Sequence, residues 1–566
     1  MQIIKSFIKL LVFICPVAAG AQSTFLPQGD KGYQFVDRLE IKQQTNTNLN
    51  FSTLKPFNRR YIVQQAEFLD SAQKADALTG VESKLKLTKI DLYNMNSFLM
   101  NNTEWVTGSR ESFASKKPLL KSLYVTKANL FEINNKDFFL AINPILQLNA
   151  GKEKGNDETI YLNTRGVNAR GMIGKKIGFY TSITDNQERG PKFFQQKVVQ
   201  TKAVPGVGFY KTFKSTGVDY FDARGYITFN AAKFVDIQFG FDKNFIGNGY
   251  RSLFLSDWGN SYLFAKLNTR IWKFNYQNLF MELQPQFFVT GDTLLDKKYA
   301  AMHHLSINLT KWLNVGLFEG IVFGRKNHFE FQYLNPIIFY RHIEGTIGSP
   351  DNALAGFDFK ANIAHHLQFY GQFLLDEFKL NEITAGNGWW ANKWGLQLGA
   401  KYVDAFNIPN LDLQFESNRV RPFTYSHYTG AANYTHYNQP LAHPLGANFQ
   451  EFIGILRYQP IPRCYVNAKI IYYKQGLDSL NGRNFGADPF RDNVTRTGNY
   501  GYDLGSGRKA NCFNGSLQLS YELRENLYLE LVAQQRNYKI ENTASQNTTL
   551  VSAGIRLNIM KREYDF

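Results

Sequence analysis

Residues 513–523 read FNGSLQLSYEL, and the strict alternation within them decides the fold. Phe513, Gly515, Leu517, Leu519, Tyr521 and Leu523 fall on one side; Asn514, Ser516, Gln518, Ser520 and Glu522 fall on the other. Successive side chains of a strand point to opposite faces, so this segment is a strand with one apolar and one polar face. Residues 551–559 (VSAGIRLNI) repeat the pattern, and 466–472 do the same. An apolar face meeting lipid and a polar face lining a lumen are the signature of a transmembrane β-barrel.

Working outward from these strands, brief turns are expected at 175–176, 231–233, 268–270, 310–312, 364–366, 406–410, 459–463 and 524–527. They alternate with eight long, polar, aromatic-rich loops, among them 185–217, 325–354, 418–448 and 475–511. Short connections on one rim and long ones on the other suit a barrel in an outer membrane, with the long loops extracellular. Eight turns join sixteen strands; an opening strand near 138–149 and a closing strand near 550–560 predict about eighteen, all antiparallel. Pro144 counts against the opening strand, because it removes a ladder donor. The chain closes on Tyr564-Asp565-Phe566, an aromatic ending of the kind handed to the barrel-assembly machinery, although the alternation slips after Ile559. Trp272 and Trp312, beside short turns, are expected in the periplasmic aromatic belt.

Residues 1–21 read as a signal peptide: Lys5 and Lys9, an apolar stretch over 10–17, then Ala19-Gly20-Ala21. Cys15 lies inside the apolar stretch, so no lipobox follows it. Beyond it nothing approaches the roughly 18–20 apolar residues of a membrane-spanning helix. Aromatics make up 15% of the chain, mostly 48 Phe and 31 Tyr, which suits interfacial girdles. The net charge of +17, two units of it from Lys5 and Lys9, favours polyanions such as acidic polysaccharide or lipopolysaccharide phosphate, and equally suits an anionic lipid surface. The export signal disfavours nucleic acid. Cys464 and Cys512 are expected at opposite rims and on opposite faces of neighbouring strands, too far apart for a disulfide.

Residues 22–136 form a separate region before the barrel at 137–566. Residues 33–42 read as a short strand. Ile62, Ala66, Leu69 and Ala72 have helical spacing, and 89–100 reads as a second helix with Thr88 as N-cap and Asp91 three residues on. The region is expected to be a periplasmic helical element or a plug entering the barrel.

Five stretches carry a resemblance to a known family: FIGNGYRSLFLSDW at 245–258, HHLSINLTKWLNVGLFEGIVFGR at 303–325, YLNPIIFYRHIEGTIGSPDNALAGFDF at 333–359, FYGQFLLDE at 369–377 and VRPFTYSHYTGAANYTHYNQPLAHPLGAN at 420–448. Their order and spacing resemble the Wzi family of outer-membrane capsule-assembly proteins, and within it the RemB-like members linked to gliding motility in Bacteroidetes. The resemblance implies an eighteen-stranded barrel with an N-terminal helical element, closed or plugged, that binds surface polysaccharide without catalysis.

The loop at 418–448 is the richest candidate glycan site, with Arg419, Arg421, Tyr425, His427, Tyr428, Tyr434, His436, Tyr437 and His443. Aromatic faces suit sugar C–H surfaces, and arginine clamps a uronate carboxylate. The same residues suit a loop folded over the barrel mouth. Trp258, Trp389 and Trp390 are expected at loop–strand junctions as membrane-belt anchors or stacking platforms. Asn248, Gly249 and Arg251 are expected to shape a tight surface turn. The histidines lack a close metal-ligand pair, and no cofactor is expected. Glu319, Glu344, Asp351, Asp358, Asp376 and Glu377 raise a glycosidase reading, but Arg325, Arg341 and Arg457 are expected to pair such acids across the lumen. The leading expectation is a non-enzymatic barrel that binds an acidic exopolysaccharide for capsule attachment or gliding, with gliding-machinery proteins as further partners. A porin-like channel for sugars or oligosaccharides is the alternative.

Overall fold

The computed structural model of the chain describes residues 23–566 apart from 46–47, 80–84, 286–293, 326–327, 338 and 480–481; the expected signal peptide lies outside the described residues. Among these residues eighteen long strands form a closed antiparallel barrel. The first six are β1 (Phe138–Glu153), β2 (Ile160–Ile173), β3 (Ile177–Arg189), β4 (Gly217–Ala232), β5 (Val235–Asp242) and β6 (Tyr262–Ile271). The middle six are β7 (Phe274–Leu283), β8 (Lys298–Asn308), β9 (Leu313–Phe323), β10 (Asn352–Ile363), β11 (Leu367–Glu377) and β12 (Lys393–Tyr402). Then come β13 (Leu411–Val420), β14 (Phe449–Ile461), β15 (Cys464–Leu477), β16 (Arg508–Arg524), β17 (Leu527–Ile540) and β18 (Gln546–Leu557). β18 pairs with β1 and closes the ring, Leu557 opposite Leu146.

The two faces sort as the alternation requires. Along β16, Phe513, Leu517, Leu519, Tyr521 and Leu523 are exposed, while Asn514, Gln518, Ser520 and Glu522 are buried in the lumen. Pro144 is accommodated by a gap in pairing. On its open side β1 pairs with the short segment Phe131–Asn134 up to Ile142, and with β18 only from Leu146. The proline therefore breaks no ladder. Cys464 begins β15 and is partly exposed; Cys512 faces Tyr473, nine residues along that strand, and both thiols are free.

Several expectations need correction. The turn placed at 268–270 falls at Trp272 and Lys273, because Asn268, Thr269 and Arg270 still pair with β7. Two of the outer connections, 154–159 and 541–545, are short, so long and short connections do not alternate throughout. The closing strand stops at Leu557, and residues 558–566 turn into the lumen. There Arg562 pairs with Glu188 at 3.1 Å, Asp565 with Lys469 at 3.0 Å, and the Phe566 ring lies 4.9 Å from Trp258. The terminal aromatic thus sits beneath the outer loops and not on a lipid-facing strand.

Among its described residues the N-terminal region holds three α-helices, α1 (Gly32–Gln43), α2 (Arg59–Thr79) and α3 (Lys89–Met100). The expected strand at 33–42 is α1. Its apolar residues Phe35, Val36 and Leu39 have helical spacing and are buried, although 33, 35, 39 and 41 also fit an alternation. α3 starts as expected, with a reciprocal capping box between Thr88 and Asp91. These helices pack within the short-turn end of the barrel. Glu40 pairs with Lys360 of β10 (2.7 Å), Asp37 with Lys401 of β12 (2.8 Å), Glu104 with Arg170 of β2 (3.1 Å), and Lys31 with Glu522 of β16 (2.8 Å). Arg38 joins Asp91 of α3 to Asp404 and Asp412 at the rim.

Candidate functional site

The lumen above the helices is filled by the connection between β5 and β6. Leu253, Phe254 and Leu255 of this segment are fully buried. Polar wall residues satisfy its backbone, as a buried irregular chain requires. Gln372 donates to Ile246 O (2.9 Å) and accepts from Leu253 N (2.8 Å); Gln397 donates to Arg251 O (2.9 Å); Glu416 accepts from Tyr250 N (2.6 Å) and Arg251 N (3.1 Å). Phe254 stacks on Phe318 of β9 at 4.5 Å. The expected surface turn at Asn248, Gly249 and Arg251 is therefore an inserted loop. The signal that could have placed it inside was the apolar content of the connection, Phe245-Ile246 and the run at 253–255.

Residues 421–448 cover this loop from the outside. The Tyr425 hydroxyl donates to Leu253 O (2.8 Å) and the Tyr434 hydroxyl to Phe254 O (2.6 Å); both rings are buried. His436 accepts from Gln284 N (3.1 Å) and donates to Ser261 O (3.1 Å), His443 pairs with Glu451 (2.7 Å), and Tyr437 is buried at the edge. Lys298 reaches up from β8 to Asn433 O (2.9 Å) and its side chain (2.7 Å). Phe423 and Tyr425 hold positive φ of 64° and 74°, which a bulky residue adopts only when its surroundings fix it. Tyr425, Tyr434, His436 and Tyr437 are therefore buried parts of the cap and do not lie on its solvent-exposed face. Burial pushes the imidazoles of His427 and His436 down to about 4. The three histidines of the loop, His427, His436 and His443, each have different partners.

The two arginines also depart from expectation. Arg419 belongs to β13 and lies on its exposed face, opposite Gln450 of β14. Arg421 is a buckle between loops, donating to Asn392 O (2.9 Å) and Tyr502 O (2.9 Å). Its guanidinium is not free to clamp a ligand.

What remains open to solvent is an aromatic and basic platform across three loops. Trp389 and Trp390 are partly exposed, with ring centres 6.3 Å apart, and Trp390 packs edge-on against Phe423 of the cap at 5.8 Å. Arg496 lies 3.8 Å from the Trp390 ring centre, Lys393 5.2 Å, and Lys379 lies 5.6 Å from that of Trp389. Asn493 links this group to His427, whose ring sits 4.1 Å from exposed Tyr428; exposed Tyr500 follows Asn499, whose carbonyl accepts from Trp390 N (2.9 Å). Arg496 and Tyr500 were not legible in the sequence, because they come from a connection about a hundred residues beyond the tryptophans; Lys379 lies in the same connection as Trp389 but has no motif to mark it. Trp258 sits lower, against Phe566.

The six acids are dispersed. Asp351 forms a two-pronged pair with Arg325 (2.7 and 2.8 Å), Glu344 pairs with Arg341 (2.6 Å), Asp358 with His304 (2.7 Å) and Glu377 with Lys393 (3.0 Å). Asp376 accepts from Tyr425 N (2.7 Å), and Glu319 from Arg341 N (3.1 Å). Arg457 departs from its expected pairing with an acid and contacts Gln414 (3.0 Å).

A lipid-facing apolar wall and a lumen into which the β5–β6 connection inserts define a membrane-spanning β-barrel, with a partly exposed aromatic and basic cluster on its outer loops. The profile of the family described as capsule assembly protein Wzi matches residues 223–550, and the chain belongs to that family. The solved structure of Wzi from Escherichia coli, described as an outer-membrane protein of group 1 capsule assembly and a carbohydrate-binding β-barrel, is similar in fold. It shares 13% identity at a TM-score of 0.52, over 96% of this chain and 100% of that one. Pseudomonas aeruginosa OprD (10% identity, 74% of this chain and 94% of that one, TM-score 0.41) and Acinetobacter baumannii OccAB4 (10%, 75% and 98%, 0.42) are more distant. No curated protein sequence matches the chain.

Proposed function

We propose that this protein is a non-enzymatic outer-membrane barrel that binds an acidic surface polysaccharide through Trp389, Trp390, Tyr428 and Tyr500 with Arg496 and Lys379. The observation that carries this reading is the partly exposed indole pair flanked by cations on a barrel whose lumen is occupied. Indole faces suit sugar C–H surfaces, and the cations suit carboxylates. Membership of the Wzi family, and the carbohydrate binding described for the Escherichia coli protein, support capsule or exopolysaccharide attachment as the role. The RemB-like grouping and a part in gliding rest on the resemblance of residues 245–448. Helices α1 and α3, the inserted loop and the tail at 558–566 act together as a plug, which disfavours a free sugar channel. Asp351, Glu344, Asp358 and Glu377 each engaged by a basic side chain, and Asp376 and Glu319 by backbone N–H groups, disfavour hydrolysis.

The test is saturable binding of the detergent-purified protein to the organism's own extracted polysaccharide across a salt series. Binding is expected to weaken as salt rises. Trp390→Ala is expected to weaken it about tenfold, the scale of one lost aromatic contact. Undiminished binding by both Trp390→Ala and Arg496→Ala variants would overturn the site, and stable single-channel conductance of the intact protein would overturn the plug.

A further inference from the structure

The outer wall is not uniform. Across β6 to β10 two outward-facing rows run Leu267–Asn278–His303–Glu319–Ala355 and Ala265–Phe280–Ala301–Ile321–Ala353. Elsewhere such positions carry exposed Leu, Ile and Phe, for example Leu517, Leu531 and Phe513. Here small and polar residues replace them, yet Asn278, Phe280, Ala301, His303 and Ile321 are buried. A carboxylate and an imidazole in the middle of a lipid-facing wall are costly unless something covers them.

The cover is the connection between β9 and β10, which folds back down the outside of the barrel. Tyr340, at the start of α4 (Tyr340–Thr346), lies 4.0 Å from the His303 ring, and Arg341 N donates to Glu319. Tyr333 packs on Phe323 at 4.8 Å, and its hydroxyl donates to Asp351, where the Arg325 pair pins the stem. The Tyr276 hydroxyl, close to the Trp272 turn at the inner rim, donates to Pro336 O. His303 is the middle residue of β8, so the cover reaches past mid-strand depth. Its far side exposes the apolar side chains of Phe331 (79%), Ile337 (84%), Phe339 (77%) and Leu334 (41%), with Gln332, Asn335, Arg341 and His342 exposed among them, Arg341 paired with Glu344.

We propose that residues 331–337 and 339–346 form a re-entrant flap lying in the hydrocarbon zone of the outer membrane. Its inner side insulates the His303–Glu319 row, and Phe331, Leu334, Ile337 and Phe339 contact lipid acyl chains. Two features commit the occupant to lipid: the flap's position against membrane-spanning strands, and the four large apolar side chains, Phe331, Leu334, Ile337 and Phe339, that it turns away from the barrel wall. This inference is independent of the polysaccharide reading.

The test places a nitroxide on an Ile337→Cys variant whose Cys464 and Cys512 are changed to Ala, reconstituted in phosphatidylcholine vesicles. Collision with oxygen and with a water-soluble nickel chelate is compared with labels at Ile470→Cys, an exposed position on the lipid face of β15, and Val494→Cys, an exposed loop position. The oxygen-to-nickel ratio at 337 is expected within about twofold of that at 470 and several-fold above that at 494. A ratio like that at 494 would place the flap in water and overturn the proposal. Exclusion of both reagents would mean that another protein covers the flap, and would overturn lipid as its occupant. A Phe339→Trp variant, which leaves the cysteines intact, provides a second measurement: its added fluorescence is expected to be quenched by brominated lipid, and unquenched emission would overturn the proposal.

Discussion

Acidification should loosen the cap through His436. The neutral ring accepts from Gln284 N with one nitrogen and donates to Ser261 O with the other. A second proton would set an N–H against the Gln284 amide. Burial pushes the ring from 6.5 down to about 4, opposed by the Ser261 contact and helped by nearby Lys298. The closed cap holds the ring neutral, whereas an opened cap lets it take a proton below its ordinary value. The stabilisation is therefore complete above pH 6.5 and is lost progressively as pH falls towards 4. At pH 5 the loss is about 2 kcal/mol, roughly a 30-fold rise in the opening equilibrium. Hydrogen exchange of the Gln284 amide and of residues 421–448, corrected for the intrinsic pH dependence, reads this directly. A His436→Gln variant should lose that share of the dependence while His427 keeps its own. Equal opening at pH 7.5 and pH 5, or an unaltered pH profile in His436→Gln, would refute the reasoning.

Arg38→Met leaves the buried carboxylates of Asp91, Asp404 and Asp412 with one cation fewer, Lys42 still bridging two of them. A loss of about 3–5 kcal/mol is expected in the docking of α1 and α3, seen as protease cleavage within residues 23–136 of an otherwise intact barrel. Thr88→Ala removes half of the capping box, and the first-turn amides of α3 should exchange faster, by about 1 kcal/mol in protection. At Gly249 an added Cβ would lie 2.4 Å from Glu416 Oε2 and 2.8 Å from Gln397 Oε1. Gly249→Ala should therefore displace the inserted loop at a cost of about 1–3 kcal/mol, measured as increased exchange at the Tyr250 and Arg251 amides.

Alternation in stretches such as 513–523 was enough to read the barrel, its lipid-facing side and nearly all of its turns, because a strand's two faces are set by its own residues and repeat every second position. α3 was equally legible, since a capping box is complete within four residues. The contents of the lumen were not. The apolar residues 253–255, the tyrosines of the cap and the tail at 558–566 gain their meaning from wall residues such as Gln372, Glu416 and Lys469, which lie far away in sequence. Tyr434 and Tyr500 look alike in a loop, and only packing buries one and exposes the other. The polar row of Asn278, His303 and Glu319 likewise reads as a flaw in a lipid-facing wall until a connection folds over it. Strand periodicity is a local property of the chain and was fixed by the sequence; what a loop covers depends on which surfaces the closed barrel brings together, and only the tertiary structure decided that.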